Sequence, residues 1–344
     1  MATAIHKIKT SSESSASESR SDIVTISIHS IAQVSKALGD ELRLEILHVL
    51  RTESFGVLEL CRILAIKQNA LSHHLKVLAI AGLVSSRREG NSIFYRRVLL
   101  VPEERFFAIK QAAFASLDAL ALRVELATGI QQIHAERSEQ SLLFFERHAE
   151  RFLEKQELVA EYAHYRETLH DLLDGLQLAR SAKVMEVGPG EGRLLSELAL
   201  AYEHVIALDN SMEMLSRARS TINNKQQNVE FIHGDTQLAI ACGIHRDLLV
   251  YNMVLHHIPS PRQAFEDSAR LLNAGGVLLL IDLSHHDQDW VRDACGDLWL
   301  GFESSELEYW AQQAGLEIAQ STYLGLRNGF QVQLRAFKKP GKTT

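Results

Sequence analysis

The sequence predicts a multidomain chain: a small, mainly helical domain that ends in a β-hairpin, a helical connector, and a larger α/β domain built on a parallel sheet. Three observations carry this. Residues 28–80 repeat apolar side chains at helical spacing, and the stretch after them alternates around Gly90-Asn91. Residues 180–338 alternate short apolar runs with amphipathic segments, the pattern of strands joined by crossover helices. The first of those runs, Val184–Val187, opens onto glycines at alternate positions, Gly188, Gly190 and Gly192.

The chain has 344 residues, 46% of them hydrophobic, enough core for two or three domains. Its net charge of −7 is uneven. Residues 31–100 hold ten Lys/Arg against six Asp/Glu, and residues 101–344 hold 23 against 34. A mildly basic block before an acidic one places any polyanion partner at the front. Cys61, Cys242 and Cys295 are far apart, which excludes a disulfide scaffold and a zinc ribbon and fits a cytoplasmic protein. No apolar run reaches eighteen residues, and the first thirty lack a secretory layout, so no membrane partner is expected.

In order, residues 1–22 are rich in serine and charge and read as a disordered tail. Residues 23–100 follow as the first domain. IHSIAQVSKALGD has helical spacing; Gly39 is suited to end that helix and Asp40 to cap the next, ELRLEILHVLRTE. VLELCRILAI and KQNALSHHLKVLAIAGLV are two short amphipathic helices with a joint near Ala65–Lys67. LVSSRREGNSIFYRR then reads as a hairpin, which completes a winged helix-turn-helix. Leu71, Leu75 and Leu78 hold the second helix of the pair to its neighbours. Gln68, Asn69, Ser72, His73 and Lys76 are left near its first turns, where short polar side chains reach base edges in a major groove. Arg87 and Arg88, with Arg96 and Arg97, are placed to neutralise phosphates beside it. The partner implied is double-stranded DNA.

Residues 101–178 read as a helical connector and lid. Pro102 marks a helix start, and Phe107, Phe114, Leu117, Ala121 and Val124 form one apolar stripe for a partner helix. The strongly helical SLLFFERHAERFLEKQELVAEYAHYRETLHDLLDGL flanks the next domain.

Residues 179–339 form the α/β domain. Its expected strands are KVMEV, HVIALD, VEFIHGD, RDLLVYNMV and GGVLLLIDL, then a closing pair, EIAQSTYLGL and GFQVQLRAFKK. Open α/β sheets bind ligands at the carboxyl ends of their strands. There stand Glu186 before the glycine loop, Asp209 and Asn210 after the second strand, Asp235 after the third and Asn252 after the fourth. The loop is not a dinucleotide fingerprint, because Arg193 occupies the place of its third glycine. An acid before the turn suits a ligand that carries a cation, and Asp209 suits a ribose diol. The carboxylate of Asp235 can accept from an adenine amine.

Two resemblances follow from these residues. ALGDELRLEIL and LSHHLKVLAIAGLVSSRREGNSIFYR closely resemble the ArsR family of bacterial repressors, which implies a homodimeric transcription regulator. The metal-sensing branch of that family carries paired cysteines; Ile63 stands where the partner of Cys61 belongs, which weakens a metal-responsive reading. The glycine loop, Asp209, Asp235, Asn252 and LLNAGGVLLL together resemble the class I S-adenosylmethionine-dependent methyltransferases. The fold implied is Rossmann-like and the cofactor S-adenosylmethionine, although Ala274 replaces the usual proline. Neither a proline–cysteine nucleophile nor an Asn/Asp-Pro-Pro-Tyr motif is present, which leaves a small-molecule methyl acceptor. His257 and His286 are the candidate proton acceptors, with His256, His285 and Asp287 beside them. Trp290, Trp299 and Trp310 form an aromatic insert that either lines an acceptor pocket or packs under a helix. No metal site is expected. The alternative function is a sensor that binds the cofactor or its demethylated product without turnover.

Overall fold

A computed structural model describes residues 28–222 and 227–341, except for the side chains of 149–153. The tail expected over residues 1–22 lies outside the described residues. The first domain comprises α1 (Ile28–Leu38), α2 (Glu41–Val49), β1 (Phe55–Gly56), α3 (Val57–Ile63), α4 (Gln68–Ile80), β2 (Val84–Glu89) and β3 (Ser92–Arg97). Asp40 caps α2 by accepting from the Arg43 amide at 3.0 Å. Ala65 takes a left-handed φ of 53° to turn α3 into α4. Leu71, Leu75 and Leu78 are buried, in one core with Ile46, Leu47, Phe55 and Leu60. β2 and β3 pair antiparallel around Gly90-Asn91, and β1 adds to the far side of β3.

The connector comprises α5 (Phe107–Asp118), α6 (Val124–Ala160) and α7 (Tyr162–Gly175). Two expectations are corrected here. Pro102 sits in a turn, and α5 begins five residues later. The apolar stripe is split by a break between α5 and α6: Phe114 and Leu117 join the first core, while Val124 is 75% exposed. At 37 residues, α6 is about 55 Å long at 1.5 Å per residue. It starts in the first domain's core, through Leu126 and Ile133, and ends in the second domain's, through Val159 and Ala160. No described helix is long and apolar enough to cross a membrane.

The second domain runs β4 (Lys183–Val187), α8 (Arg193–Ala201), β5 (His204–Asp209), α9 (Met212–Thr221), β6 (Val229–His233), α10 (Thr236–Ala241) and β7 (Arg246–Asn252). A 3-10 turn (Leu255–His257), α11 (Pro261–Leu271), β8 (Leu272–Leu283), α12 (Trp290–Cys295), α13 (Ser304–Gln313), β9 (Glu317–Gly325) and β10 (Gln331–Lys338) complete it. The sheet order is β6-β5-β4-β7-β8-β10-β9, and β10 alone runs against its neighbours. Strand alternation gives the sheet two buried faces. Val184, Val205, Val250 and Leu279 face one side with α7 and α8, while Met185, Ile206, Leu249 and Leu280 face the other with α11 and α13. The order reverses at β4, between β5 and β7, which opens a crevice at their carboxyl ends.

The candidate binding cavity and the DNA-reading face

A cavity of about 450 Å³ occupies that crevice. Its floor is the sheet: Gly188 and Gly190, Asp209 and Asn210, Asp235, and Asn252 all line it. Its roof comes from the connector, through His134, Ser138, Ser141 and Phe145 of α6 and Tyr162 and Tyr165 of α7. Two of the loop's glycines, Gly188 and Gly190, keep Cβ atoms off its cavity side. Gly188 has a φ of 65°, and a Cβ there would lie 2.3 Å from Val254 Cγ2; a Cβ on Gly190 would enter open space.

Two predicted residues do not line the cavity. Gly192 instead lets α9 pack close, since a Cβ would meet the Ala218 carbonyl at 2.9 Å. Glu186 lies beneath the loop, 1% exposed, and its Oε2 has no hydrogen-bond partner among the described residues. Burial, and then the nearby Glu197, hold its carboxyl well above the usual range.

Asp209 ends β5 and accepts from the Ser211 amide at 2.8 Å; burial pushes its carboxyl up to about 6. Asn210 bonds the His233 ring through its carbonyl at 3.1 Å. Asp235 caps α10 by accepting from the Leu238 amide at 2.9 Å while facing the cavity. The Asn252 side-chain oxygen accepts from the Tyr165 hydroxyl at 3.1 Å. The sequence marked the roof as a lid but did not single out these tyrosines. Their spacing, Tyr162 and Tyr165 on one helix face, was the available signal.

Of the candidate proton acceptors, His257 lines the cavity and His286 does not. His286 is turned away against Phe330, and its Nδ1 accepts from the Gln288 amide at 3.2 Å. His285 bonds the Leu300 carbonyl. β8 carries this segment past the crevice toward the closing strands, so its loop does not return to the cavity. Burial, and then the neighbouring His256, hold His257 well below the usual imidazole value. Burial alone would also lower His256, but the carboxylates of Asp282 and Asp297 outweigh it and push it up to about 9. None of the three tryptophans lines the cavity. Trp299 is buried against Phe94 of the wing and donates to the Ile258 carbonyl at 2.8 Å.

On the first domain, Gln68, Asn69, Ser72, His73 and Lys76 are all exposed on one stretch of α4. Arg88 is exposed at the wing and bonds the Gly90 carbonyl. The other wing cations are not where the sequence put them. Arg87 pairs with Glu89 and, at 2.9 Å, with Glu306 of α13. Arg96 pairs with the second oxygen of Glu306, which is 2% exposed. Arg97 is buried against Asp118 and the Leu47 carbonyl. The wing lies against the second domain, which supplies the opposite charge, so Arg87 is not available as a phosphate contact.

Arg137 of α6 ties the two domains at their centre. It is 5% exposed, grips both oxygens of Glu59 at 2.9 and 2.6 Å, and donates to the Ser54 and Pro259 carbonyls. Its guanidinium lies 4.8 Å from the Trp299 ring centre. Pro259 and Ser260 belong to the cavity lining, and Glu59 and Ser54 to the first domain.

Comparison with known proteins agrees with this division. Residues 40–86 match the profile of the bacterial regulatory protein arsR family. Residues 185–280 match a methyltransferase domain. The class is thus a winged helix-turn-helix joined to a Rossmann-like methyltransferase domain. The first part is of the ArsR type, so the chain is an ArsR-type helix-turn-helix and a methyltransferase domain in one polypeptide. An uncharacterized methyltransferase of Mycobacterium tuberculosis is 31% identical over 110 residues, 32% of this chain and 55% of that protein. The chain therefore spans about half the length of that relative. A ubiquinone biosynthesis O-methyltransferase of Coxiella burnetii is 24% identical over 165 residues, 43% of this chain and 70% of that one. Among solved structures, magnesium protoporphyrin IX methyltransferase from Synechocystis aligns with a TM-score of 0.47 at 16% identity, covering 59% of this chain and 97% of that one.

Proposed function

We propose that the protein is a DNA-binding transcription regulator that also binds S-adenosylmethionine and transfers its methyl group to a small-molecule acceptor. The observation that carries this is the cavity itself: a glycine loop and two acids at the sheet's switch point, roofed by a helix rooted in the DNA-reading domain. The residues fit the cofactor. Gly188 and Gly190 leave room for a ligand against the backbone, Asp209 offers a carboxylate to a ribose diol, and Asp235 offers one to an adenine amine. Glu186 lies beneath the loop with one oxygen that has no hydrogen-bond partner among the described residues, and a sulfonium bound above it would favour its ionised form. Bound there, the cofactor supplies an activated methyl group, and the protein's task is alignment and exclusion of water. Tyr165 and Phe145 close the roof over the acceptor side, and His257 is the candidate histidine placed to touch an acceptor. The protein works on double-stranded DNA as a cytoplasmic homodimer; Leu120 and Val124, 59% and 75% exposed, suit a twin copy.

A second reading, occupancy sensing without turnover, is favoured by Arg137. A ligand that moves the Pro259–Ser260 wall pulls on the guanidinium that also holds Glu59 and Ser54. Coupling then follows if the ligand binds the DNA-competent and DNA-incompetent forms unequally. One experiment separates the two readings. DNA selected from a random pool by the purified protein is titrated with S-adenosylmethionine, with S-adenosylhomocysteine, and with neither, and cofactor binding is followed calorimetrically. Methyl transfer alone predicts binding with unchanged DNA affinity. Sensing predicts a tenfold or greater shift, about 1.4 kcal/mol of coupling. Absence of heat with either compound would remove both.

A further inference from the structure

Beside the cavity, and unused by the reading above, a buried carboxylate lacks a donor. Asp297 follows α12 and is 3% exposed, yet neither of its side-chain oxygens has a hydrogen-bond partner among the described residues. A carboxylate buried in this way is costly unless a cation or an ordered donor meets it. Its neighbours are His256 Nε2 at 3.9 Å and His257 Nδ1 at 4.0 Å, both beyond hydrogen-bond range. His257 Nδ1 donates instead to the Gly296 carbonyl at 3.3 Å, which leaves Nε2 as the nitrogen with a lone pair for a metal. The imidazole of His256 is already oriented: its Nδ1 faces Asp282 Oδ1 at 2.8 Å, which leaves Nε2 toward Asp297. Asp282 is itself fixed by the Leu255 and Leu283 amides. A carboxylate that holds one ring nitrogen and presents the other to a shared point is the usual outer support of a metal-ligating histidine. One ligand atom each from His256, His257 and Asp297 lies within 4.8 Å of the others. A tetrahedral ion with bonds of about 2.0–2.2 Å holds its ligand atoms about 3.3–3.6 Å apart, so the three side chains draw together when the ion binds.

We propose that His256, His257 and Asp297 bind a zinc-class divalent cation, with Asp282 as the positioning residue for His256. Two imidazoles and a carboxylate suit such an ion, and a three-ligand set keeps a coordination position open. Of the three, only His257 lines the cavity, so that position is reached from the cavity side. A hydroxyl- or carboxylate-bearing acceptor is the class of molecule it would hold. Metal binding itself does not depend on methyl transfer, and the test reads the metal alone.

Untagged full-length protein, stripped with EDTA and dialysed, is titrated with zinc chloride in a calorimeter and loaded with cobalt(II) for visible absorption. The expected result is one saturable zinc per chain and cobalt bands of an imidazole–carboxylate site. Asp297→Asn removes the bands while circular dichroism stays unchanged. Asp282→Asn weakens zinc binding about 10–100-fold. If Asp297→Asn does not fold, His257→Gln is read by the same spectrum and must lose it. No zinc uptake would overturn the site. Uptake that these substitutions leave untouched would overturn it too, by placing the ion on another of the 16 histidines.

Discussion

The reading helix and the wing come from the same seventy residues, the helix with one lysine and the wing with four arginines, and end up in different surroundings. On α4 the polar residues stand exposed, and the leucines behind them are buried, as amphipathic spacing requires. On the wing, Arg87 and Arg96 converge on Glu306, more than two hundred residues away in sequence, and Arg97 turns inward to Asp118. A helix face is set by its own period. The fate of a hairpin's cations is set by whatever docks against the hairpin, and local sequence does not encode that.

The largest effect expected from this contrast comes from Glu306→Ala. Removing one partner from a buried ionic cluster costs about 3–5 kcal/mol, so the domain junction should melt earlier in denaturant. Arg87 and Arg96, released, should also steepen the salt dependence of DNA binding. A variant with unaltered melting and unaltered salt slope would show that the wing is not held by this contact.

Next in size is the cavity acid. Burial places the Asp209 carboxyl at about 6 in the folded protein, above its ordinary 3.8. A raised acid contributes stability that is full below the unfolded value and is lost as pH rises through about 6. A ligand diol needs the ionised form, so cofactor affinity should fall as pH drops below 6, approaching tenfold per pH unit. Asp209→Asn should bind weakly and lose that dependence; a wild-type affinity flat from pH 7 to 5 would remove Asp209 from the ribose role.

The smallest effect sharpens the contrast directly. Lys76→Ala and Arg88→Ala should each reduce the slope of log affinity against log salt by about 0.9, the value for one phosphate contact. Arg87→Ala should leave the slope unchanged in the intact protein. Equal loss from all three would mean that the wing opens from Glu306 when DNA binds.

The catalytic candidates show the same division. His257 and His286 looked equivalent, each in a histidine pair after an apolar strand. Only the sheet order separates them: the loop after β7 borders the switch point, while the loop after β8 runs toward β10 and Phe330. Asp297 had no signal at all, because its interest lies in two histidines forty residues away and in what its oxygens fail to meet.

The chain's residues by themselves determined every strand of the larger sheet to within a few positions, the helix-turn-helix, the glycine loop and the acids that follow it. These depend on periods of 2 and 3.6 and on glycine's backbone freedom, which are properties of neighbours in sequence. Tertiary structure alone decided that α6 roofs the cavity while standing in both cores, that Arg137 and Glu306 bind the domains together, and that an acid is buried beside two imidazoles. Burial and charge pairing act through space, between residues separated by tens to hundreds of positions. They are settled only when the two domains pack.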